Sequence, residues 1–529
     1  MYSMIQSGAL HGVQAYPVCV EVDIAAGLPG FSLVGSLSGE VRESKERVSV
    51  ALKNAGLRLP PSHITVNLSP ADCRKEGTAF DLPIAVGILQ SMGAFRENPC
   101  SAELIADTLF LGELGLNGEV KKVRGVLPIV REAARRGISE CVVPAANALE
   151  GAVIPGIAVR GVSHIRQLLD YLKGAGSEEE KERLLPRAQV DLKEIFREGA
   201  DDGEEDFAEV TGQETAKRAA EIAAAGFHNL LMTGPPGAGK SMIAKRLPGI
   251  LPPLTLEESL EATAISSVAG TLPEGSALVT KRPFQSPHHT ISHTALIGGS
   301  FLPRPGIISL AHRGILFLDE LPEFRRQALD GLRQPLEERR VQIARVGGNL
   351  SYPSNFMLVC AMNPCPCGYY PDRNRCKCTQ FQVNKYLGRI SGPVLDRMDL
   401  CVELRPVEIG GLQGKQKGES SREIRKRVMR ARKRQMKRFA GSGCRFNGDI
   451  SAADMDRYCP LGTAEKRLME ELYRSLRLSA RAYHRILRVA RTIADLEERE
   501  AIEESHILEA SFFCPAKGSW KGWEDADGD

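Results

Sequence analysis

Residues 234–241 constrain what this chain can fold into more than any other stretch, because they read Gly-Pro-Pro-Gly-Ala-Gly-Lys-Ser. A mostly apolar run at 229–233 precedes them, and a helix-compatible segment at 242–247 follows. A strand, a glycine-rich turn and a helix in this order are the context of a phosphate-binding loop. Backbone N–H groups of such a loop surround phosphates at the positive end of the helix, while Lys240 adds a charge and Ser241 a hydroxyl for Mg²⁺. A chance glycine turn is the alternative interpretation, and the flanking pattern favours the phosphate loop.

A second stretch, residues 314–320, is a continuous apolar run that ends in Asp319 and Glu320. Such a run is typical of a strand buried on both faces, although a strand end can also be acidic by chance. After a phosphate loop, we expect Asp319 to hold Mg²⁺ and Glu320 to polarise the attacking water. The predicted residues for ATP and Mg²⁺ are Gly234, Pro235, Pro236, Gly237, Ala238, Gly239, Lys240, Ser241 and Asp319.

Asn363 follows a third apolar run, at residues 356–360. An asparagine there can cap a loop, but its place after another strand favours a second role. We predict that it orients the lytic water beside the γ-phosphate.

Length and charge limit the classes of protein that fit. With 529 residues and an apolar fraction of 43%, the chain has room for three or four packed domains. The net charge is only +3, so affinity for nucleic acid has to come from local basic patches. No uncharged apolar stretch reaches the roughly 18 residues of a membrane span, and residues 1–20 lack a signal-peptide pattern. We predict a cytoplasmic protein with no membrane partner and mostly reduced thiols among its thirteen cysteines.

Residues 1–172 alternate apolar runs with helix-like stretches, which predicts an α/β domain. Residues 72–83 and 112–120 resemble the proteolytic domain of Lon-type proteases. That resemblance implies a Ser–Lys dyad, and the two positions are occupied by Ala79 and Leu127, which can do neither nucleophilic nor base chemistry. We predict a proteolytically inactive domain, with a different serine nucleophile as the alternative.

Residues 173–206 are rich in Glu, Lys, Arg, Gly and Asp, which predicts a charged linker or a partly helical tether. An ATPase core is then predicted over 207–405, a helical lid over 406–512 and a tail over 513–529.

Residues 391–400 contain the element Asp396-Arg397-Met398-Asp399. With the phosphate loop, the acidic pair and Arg481 further on, this element resembles AAA+ ATPases of the magnesium-chelatase and MCM helicase group. The resemblance implies that Arg397 reaches the neighbouring subunit's nucleotide as an arginine finger, that Arg481 is the lid arginine, and that the chain forms a ring of six. A salt bridge from Arg397 to Asp396 or Asp399 is the alternative.

Nearly the whole chain resembles the ComM branch, also called YifB, of the magnesium-chelatase-like ATPases. The most specific parts are residues 286–290, 303–306 and 311–314, together with the order of the predicted domains. The resemblance implies an α/β fold with a Lon-like domain, an AAA+ core with a parallel sheet, and an α-helical lid. It also implies ATP-driven work on DNA, with branch migration during natural transformation as the best-supported role.

Four cysteines cluster in a loop rich in Pro, Gly, Asn, Asp and Arg that begins just after Asn363. Two Cys-x-Cys pairs can supply a tetrahedral thiolate set for zinc, and two disulfides are the weaker alternative in a reducing compartment. The predicted ligands are Cys365, Cys367, Cys376 and Cys378.

Several histidines precede the Asp319 strand, among them His288, His289, His293 and His312. The four-residue spacing of His289 and His293 permits a shared helix face and a metal site, but no carboxylate motif accompanies them. A family insert that faces the ring pore or a neighbour is the favoured interpretation.

Two basic segments are candidates for contact with nucleic acid. Residues 339–352 read as a hairpin with a turn at Gly347-Gly348, and Arg339, Arg340 and Arg345 are its predicted DNA contacts. Residues 422–438 are a strongly basic helix that either contacts phosphates or is a solvated lid helix.

Three functions therefore compete at this stage: a DNA-remodelling ATPase, a true chelatase subunit, and a MoxR-like ATPase that remodels protein complexes without DNA. A chelatase subunit would lack the Lon-like domain and the four cysteines. DNA remodelling explains the most features, and a Lon-like protease explains the fewest.

Overall fold

A computed structural model of the chain describes residues 2–201, 205–299, 304–344, 349–406 and 418–514. The first part of the chain contains nine strands and nine helices within these described residues. The strands are β1 Tyr2–His11, β2 Gln14–Ala25, β3 Gly30–Val34, β4 His63–Ser69, β5 Thr108–Phe110, β6 Glu113–Leu114, β7 Val120–Lys121, β8 Glu140–Pro144 and β9 Ala158–Val162. The helices are α1 Gly39–Arg42, α2 Ser44–Asn54, α3 Asp81–Ser91, α4 Ser101–Ala106, α5 Val126–Arg135, α6 Ala148–Ala152, α7 Ile165–Gly174, α8 Glu178–Leu184 and α9 Leu192–Asp201.

Seven of these strands form one mixed sheet in the order β3-β4-β2-β1-β5-β8-β9. Strand β2 pairs antiparallel with both β1 and β4. Strand β5 pairs parallel with β1 and with β8, and β8 pairs parallel with β9. Strand β4 alternates buried and half-buried side chains, since one face of the sheet packs on the core. Helix α3 is buried along almost its whole length. The predicted α/β fold of this part is confirmed.

The two positions of the predicted inactive dyad lie in apolar surroundings. Leu127 is buried in α5, and its backbone N–H donates to Glu150. Ala79 packs against the same cluster of buried apolar side chains. Neither of these two side chains carries a hydroxyl or an amine, and the Lon-like identity of this domain stays a prediction.

The predicted linker at 173–206 contains helices α8 and α9. Helix α8 is held on the sheet through the fully buried Arg160, which pairs with Glu140 at 3.1 Å and Glu182 at 3.3 Å. Leu192, Ile195 and Phe196 of α9 pack against the first domain. This highly charged segment therefore forms helices, because its charged side chains pair with each other and with Arg160 of the sheet.

The central part of the chain is built on a second sheet. Its strands are β10 Leu230–Thr233, β11 Phe284–Gln285, β12 Ile315–Leu318 and β15 Met357–Met362, with β16 Leu400–Glu403 at one edge. The order is β11-β12-β15-β10-β16 and every pair is parallel. Its helices are α10 Glu214–Gly226, α11 Lys240–Ile250, α12 Leu256–Ala269, α13 His293–Ile297, α14 Ile307–Leu310, α15 Arg326–Asp330, α16 Arg333–Glu338, α17 Gln380–Leu387 and α18 Gly392–Leu395.

Strands β10, β12 and β15 are buried at every position, as the continuous apolar runs predict. In a parallel sheet all carboxyl ends meet at one edge. The loops after β10, β12 and β15 therefore converge at one edge of this sheet.

The central part also contains a small hairpin, formed by β13 Arg340–Ile343 and β14 Leu350–Pro353. The two strands pair antiparallel, from Arg340 opposite Pro353 to Ile343 opposite Leu350, which confirms the predicted hairpin strands. Arg345 and the predicted turn at Gly347 and Gly348 lie outside the described residues.

The last part is entirely helical over 421–513 apart from its connections. Its helices are α19 Ser421–Arg438, α20 Met455–Tyr458, α21 Thr463–Ser475, α22 Ala480–Leu496 and α23 Glu504–Phe513. The long helix α22 buries most of its residues against α10, α19 and α23. The predicted helical C-terminal part is confirmed. Among the described residues, no helix is both long and apolar enough to cross a bilayer.

The first domain docks on α12 of the central part. The buried Ser267 hydroxyl donates to the buried Glu150 carboxylate, and the backbone N–H of Gly125 donates to the Ser267 carbonyl at 3.2 Å. Lys122 Nζ adds a bond of 2.9 Å to the carbonyl of Leu272. A buried carboxylate with these donors in place stabilises one relative arrangement of the two parts.

Candidate nucleotide-binding site

The loop between β10 and α11 has the backbone that its glycines predict. Gly239 precedes the helix with φ +92°, a left-handed conformation that side chains disfavour. At Gly234 a larger residue would not fit, because a Cβ there would lie 2.6 Å from the carbonyl oxygen of Leu404. The loop therefore turns tightly beside the end of β16 and directs the N-terminus of α11 outward, which is the arrangement that binds phosphate.

Lys240 lies inside this loop and is 8% exposed. Its Nζ donates to the carbonyl oxygens of Gly234 at 2.7 Å and Pro235 at 3.0 Å, and to Asn363 Oδ1 at 3.0 Å. Burial lowers the pKa of Lys240, and the nearby Asp319 opposes that shift. The structure thus brings three predicted residues together from β10, β12 and β15.

Asp319 and Ser241 form the second part of the site. The Ser241 hydroxyl donates to Asp319 Oδ2 at 2.7 Å, so two oxygens of the kind that Mg²⁺ prefers lie side by side. A buried ammonium, adjacent hydroxyl and carboxylate oxygens, and the N-terminus of α11 fit a magnesium–nucleoside triphosphate. ATP and Mg²⁺ are the groups whose chemistry these donors match.

Glu320 follows in a left-handed conformation, with φ +53°. Its backbone N–H donates to Asp319 Oδ1 at 2.9 Å, which fixes the turn. Its side chain is 58% exposed, and its carboxylate oxygen Oε2 lies 3.3 Å from His289 Nδ1. His289 comes before α13 begins, so it does not share a helix face with His293. The sequence did not indicate the contact between Glu320 and His289, although it did single out the histidine pair.

Arg397 and Arg481 lie elsewhere, on the wall of a cavity of about 260 Å³. Other residues of this wall come just before β10, β15 and β16: Asn229, Asn355, Phe356 and Asp399. The cavity is therefore at the amino edge of the parallel sheet, and among the described residues its lining includes none from the phosphate loop.

The partners of Arg397 differ from the two that its sequence neighbourhood suggests. Its guanidinium pairs with Glu337. Asp396 pairs instead with Arg481 at 3.7 Å, and Asp399 accepts from the backbone N–H of Asn229 at 3.0 Å. Burial lowers the pKa of Arg397, and the positive Arg481 adds to that effect. Glu337 comes from α16, far away in sequence, which is why local spacing did not reveal it.

The four predicted metal ligands converge. Their sulfur atoms all lie within 4.8 Å of one another, with Cys365 Sγ 3.4 Å from Cys367 Sγ and 3.7 Å from Cys376 Sγ. A tetrahedral zinc–thiolate site has sulfur atoms about 3.8 Å apart, given a Zn–S bond of about 2.3 Å. All thirteen cysteines of the chain are free thiols. Cys378 completes a set that fits one zinc ion.

This cysteine loop packs against the phosphate loop. A Cβ placed on Gly368 would lie 2.4 Å from Pro236, so the two loops are in contact. Burial opposes ionisation of Cys367, but the backbone N–H of Tyr369 and the neighbouring thiols lower its pKa to about 6. A bound metal would order a loop that leads directly from Asn363.

Arg339 and Arg340 are adjacent in sequence but have different environments. Arg339 caps α16 with φ +56°, pairs with Asp449 and bonds Asn355 at 3.1 Å on the wall of the cavity. Arg340 begins β13 and is exposed. Of this pair, Arg340 is the more exposed residue, whereas the charge of Arg339 is paired with Asp449.

Several arginines of the basic helix α19 make internal ion pairs. These pairs are Arg427 with Glu221 and Glu419, Arg430 with Glu498, and Arg438 with Asp495. Ion pairing reduces the positive charge that is available to phosphates. For these arginines, the interpretation as a solvated lid helix is therefore favoured over contact with nucleic acid.

Comparisons with known proteins cover most of the chain. The family described as magnesium chelatase, subunit ChlI, matches residues 206–412, and its C-terminal family matches 418–513. The family described as subunit ChlI of Mg-chelatase matches residues 20–147.

Similar full-length proteins include YifB of Salmonella typhimurium, 41% identical over 515 residues, which are 96% of each chain. The competence protein ComM of Haemophilus influenzae is 41% identical over 509 residues, again 96% of each chain. A shorter similarity, 35% over 124 residues, links 23% of this chain to 25% of the DNA repair protein RadA of Streptococcus pyogenes serotype M1.

Proposed function

Since the chain belongs to the magnesium-chelatase ChlI family, with YifB and ComM among its full-length relatives, we propose that it is a cytoplasmic AAA+ ATPase. In this proposal it hydrolyses ATP as a ring of six and uses the energy to remodel DNA. We propose that this remodelling is branch migration or helicase activity in recombination or natural transformation.

One observation carries the proposal: the groups that ATP hydrolysis requires lie at opposite edges of one sheet. Lys240, Asp319 and Asn363 gather at the carboxyl edge, while Arg397 and Arg481 line the cavity at the amino edge. The four-residue strand β10 alone separates the edges by about 13 Å, at roughly 3.3 Å per residue. Arg397 therefore cannot contact the nucleotide held by its own chain.

This separation supports a site completed between subunits. A second copy that placed its amino edge against the carboxyl edge of the first would bring Arg397 to the γ-phosphate. Repeating this head-to-tail contact makes a closed ring when the rotation between successive copies adds up to a full turn. The pairing of Arg397 with Glu337 keeps the guanidinium in place until that contact forms.

Within the site, each residue has a distinct task. The phosphate loop and Lys240 bind the β- and γ-phosphates, and Ser241 with Asp319 holds Mg²⁺. Glu320 polarises the attacking water, and Asn363 orients it. Arg397 and Arg481, from the neighbour, stabilise the charge that develops on the transferred phosphoryl group.

DNA is the proposed substrate of the ring's mechanical work for two reasons. Two similar proteins are named as a competence protein and a DNA repair protein. In addition, the β13–β14 hairpin begins with the exposed Arg340, and Arg345 follows β13 in the sequence, so basic residues accompany this hairpin. Contacts of this kind are made to phosphates without reading bases, so binding should tolerate sequence changes and weaken with salt.

We also propose that Cys365, Cys367, Cys376 and Cys378 hold one structural zinc ion. The convergence of the four thiols and the contact of their loop with Pro236 support this assignment. When bound, the metal would supply a rigid closed thiolate site rather than catalysis.

The deciding experiment measures the ATPase rate of purified protein with no DNA, single-stranded DNA, duplex DNA and a four-way junction. We expect stimulation by DNA and movement of the junction that needs ATP. Arg345→Ala, alone or with Arg340→Ala, should lose stimulation and retain basal hydrolysis. If wild-type protein hydrolyses ATP but neither binds DNA nor is stimulated by it, remodelling of protein complexes replaces the DNA proposal.

A further inference from the structure

Asn229 lies where β10 begins, between β15 and β16 of the central sheet. Its side-chain Oδ1 accepts from the backbone N–H of Leu358 in β15 at 2.8 Å. Its backbone carbonyl accepts from the N–H groups of Asp399 and Leu400 at 3.0 Å each, at the start of β16. These bonds to both flanking strands hold Asn229 in one place, because moving its backbone or its side chain breaks at least one of them.

The same side chain also holds the backbone of Arg397. Asn229 Nδ2 donates to the carbonyl oxygen of Arg397 at 2.8 Å. Since Oδ1 faces an N–H group and Nδ2 faces a carbonyl, only this orientation of the amide satisfies both partners. The backbone N–H of Arg397 donates to the carbonyl of Val394 at 3.1 Å, so both polar backbone groups of Arg397 are bonded. The Cα from which the guanidinium extends is therefore fixed relative to the sheet.

The peptide before Arg397 is held by a second element. Arg485 of α22 is 4% exposed, and its Nη2 donates to the carbonyl oxygen of Asp396 at 2.8 Å. Two consecutive carbonyls of this turn therefore accept from two side chains, one at the start of β10 and one in the helical part. Bonds of this kind are costly to leave unmade, so the turn keeps one conformation.

Resting on the proposed ATPase function, we infer that Asn229 is a positioning residue for Arg397. It sets the point from which the guanidinium reaches the nucleotide of the neighbouring subunit, and it acts only through the backbone of Arg397. A reacting group has to be held within about 0.5 Å of its productive position. The side chain of Arg397 pairs with an exposed carboxylate, that of Glu337, so the backbone is the firmer anchor. Loss of the Asn229 bond misplaces the arginine without removing it.

The first test compares Asn229→Ala and Asn229→Asp with wild type in the full-length protein. Asn229→Asp retains an oxygen for the N–H of Leu358 but cannot donate to Arg397. Both variants should lower the kcat of ATP hydrolysis about tenfold, less than loss of the arginine itself, while the KM for ATP stays unchanged. A merely structural role would disturb the phosphate loop that follows β10, and the KM would rise.

The second test locates the defect by mixing variants. Lys240→Ala protein has an intact Asn229 and Arg397 but should not bind ATP. In mixed rings it should supply a correctly placed arginine to neighbours that carry Asn229→Ala, so the rate per Asn229→Ala chain rises severalfold. Thermal unfolding checks the fold of each variant, and Asn229→Asp takes the place of Asn229→Ala in every arm if the latter does not fold.

Asn98 of the first domain offers a matched control. Its amide likewise donates to a carbonyl, that of Ala175 at 3.0 Å, and accepts from a backbone N–H, that of Cys100 at 3.0 Å. Asn98→Ala therefore removes the same two kinds of bond from a different domain. It should leave both the kcat and the KM unchanged.

Three results would overturn the inference: a wild-type kcat in the folded Asn229 variants, an equal loss in Asn98→Ala, or rescue of Arg397→Ala by Lys240→Ala protein without rescue of Asn229→Ala. Combined with Arg397→Ala, either Asn229 substitution should cause no further loss in single-turnover hydrolysis, and an additive loss would also overturn it. If mixed oligomers form and neither variant is rescued, action between subunits fails instead. The combined variants then still decide whether Asn229 acts through Arg397.

Discussion

The carboxyl and amino edges of the five-stranded sheet differ in how their charged side chains are bonded. At the carboxyl edge, hydrogen bonds of about 3 Å join the loops that carry Lys240, Asp319 and Asn363. These residues therefore form a compact site. At the amino edge, Arg397 and Arg481 line an open cavity and are held by single carboxylates.

This difference agrees with the proposal that each edge is half of a reaction centre. The carboxyl edge holds the residues that match phosphate and metal, whereas Arg397 and Arg481, the two arginines predicted to act on the transition state, lie at the amino edge. The amino edge has arginines in excess over its acidic partners, and their mutual repulsion is relieved when an anion approaches. In the proposed ring, contact between copies would join the two halves.

The largest effect is expected for Arg397→Ala at the amino edge. Loss of an arginine finger lowers kcat by about 10³-fold or more, while nucleotide binding persists because the phosphate loop is intact. Mixing Arg397→Ala with Lys240→Ala protein should restore part of the activity, since each copy supplies what the other lacks. Arg430→Ala, which removes an exposed pair with Glu498, is the matched control. If mixed oligomers form and no ratio restores activity, the edges do not act on each other.

At the carboxyl edge, Glu320→Gln should lower kcat by about 10²-fold, the usual contribution of a general base. Nucleotide binding should survive in this variant and be lost in Lys240→Ala, as measured with a fluorescent ATP analogue. Glu323→Gln, which affects only an exposed pair with Arg389, should be close to wild type. Wild-type turnover by Glu320→Gln would show that another group polarises the water.

A smaller effect is expected from the cysteine loop that borders the carboxyl edge. Elemental analysis of reduced protein should find one zinc per chain, and Cys376→Ser should lose it. Turnover should then fall about tenfold, because a displaced loop misplaces Asn363 and Pro236. Cys100→Ser, an exposed thiol in the first domain, should change neither quantity. Reduced wild-type protein without metal in chelator-free buffer would rule out the zinc site.

The smallest effects are expected where the amino edge continues into the hairpin. Arg340→Ala should reduce the slope of log DNA affinity against log salt by about 1, as for one lost phosphate contact. Arg339→Ala should instead lower stability by about 1 kcal/mol, because Asp449 and Asn355 lose a partner. Equal effects of both substitutions on DNA binding would show that the two arginines face the same ligand.

Much of the carboxyl edge follows from sequence alone. The phosphate loop is a contiguous motif, and Asp319 and Asn363 each follow a continuous apolar run that became a buried parallel strand. Because parallel strands present their carboxyl ends together, the convergence of these residues was predictable. The four cysteines were predictable for a similar reason, since they lie on one short loop.

Only the tertiary structure decided the rest. Arg397 pairs with Glu337 rather than with its neighbours Asp396 and Asp399, and it shares a cavity with Arg481 at the edge opposite the phosphate loop. The contact of His289 with Glu320 and the ordered helices of the charged segment 173–206 are also tertiary outcomes. Motif spacing determines which groups share a loop, whereas these contacts join residues from separate elements, and their position depends on how the crossovers and helices pack.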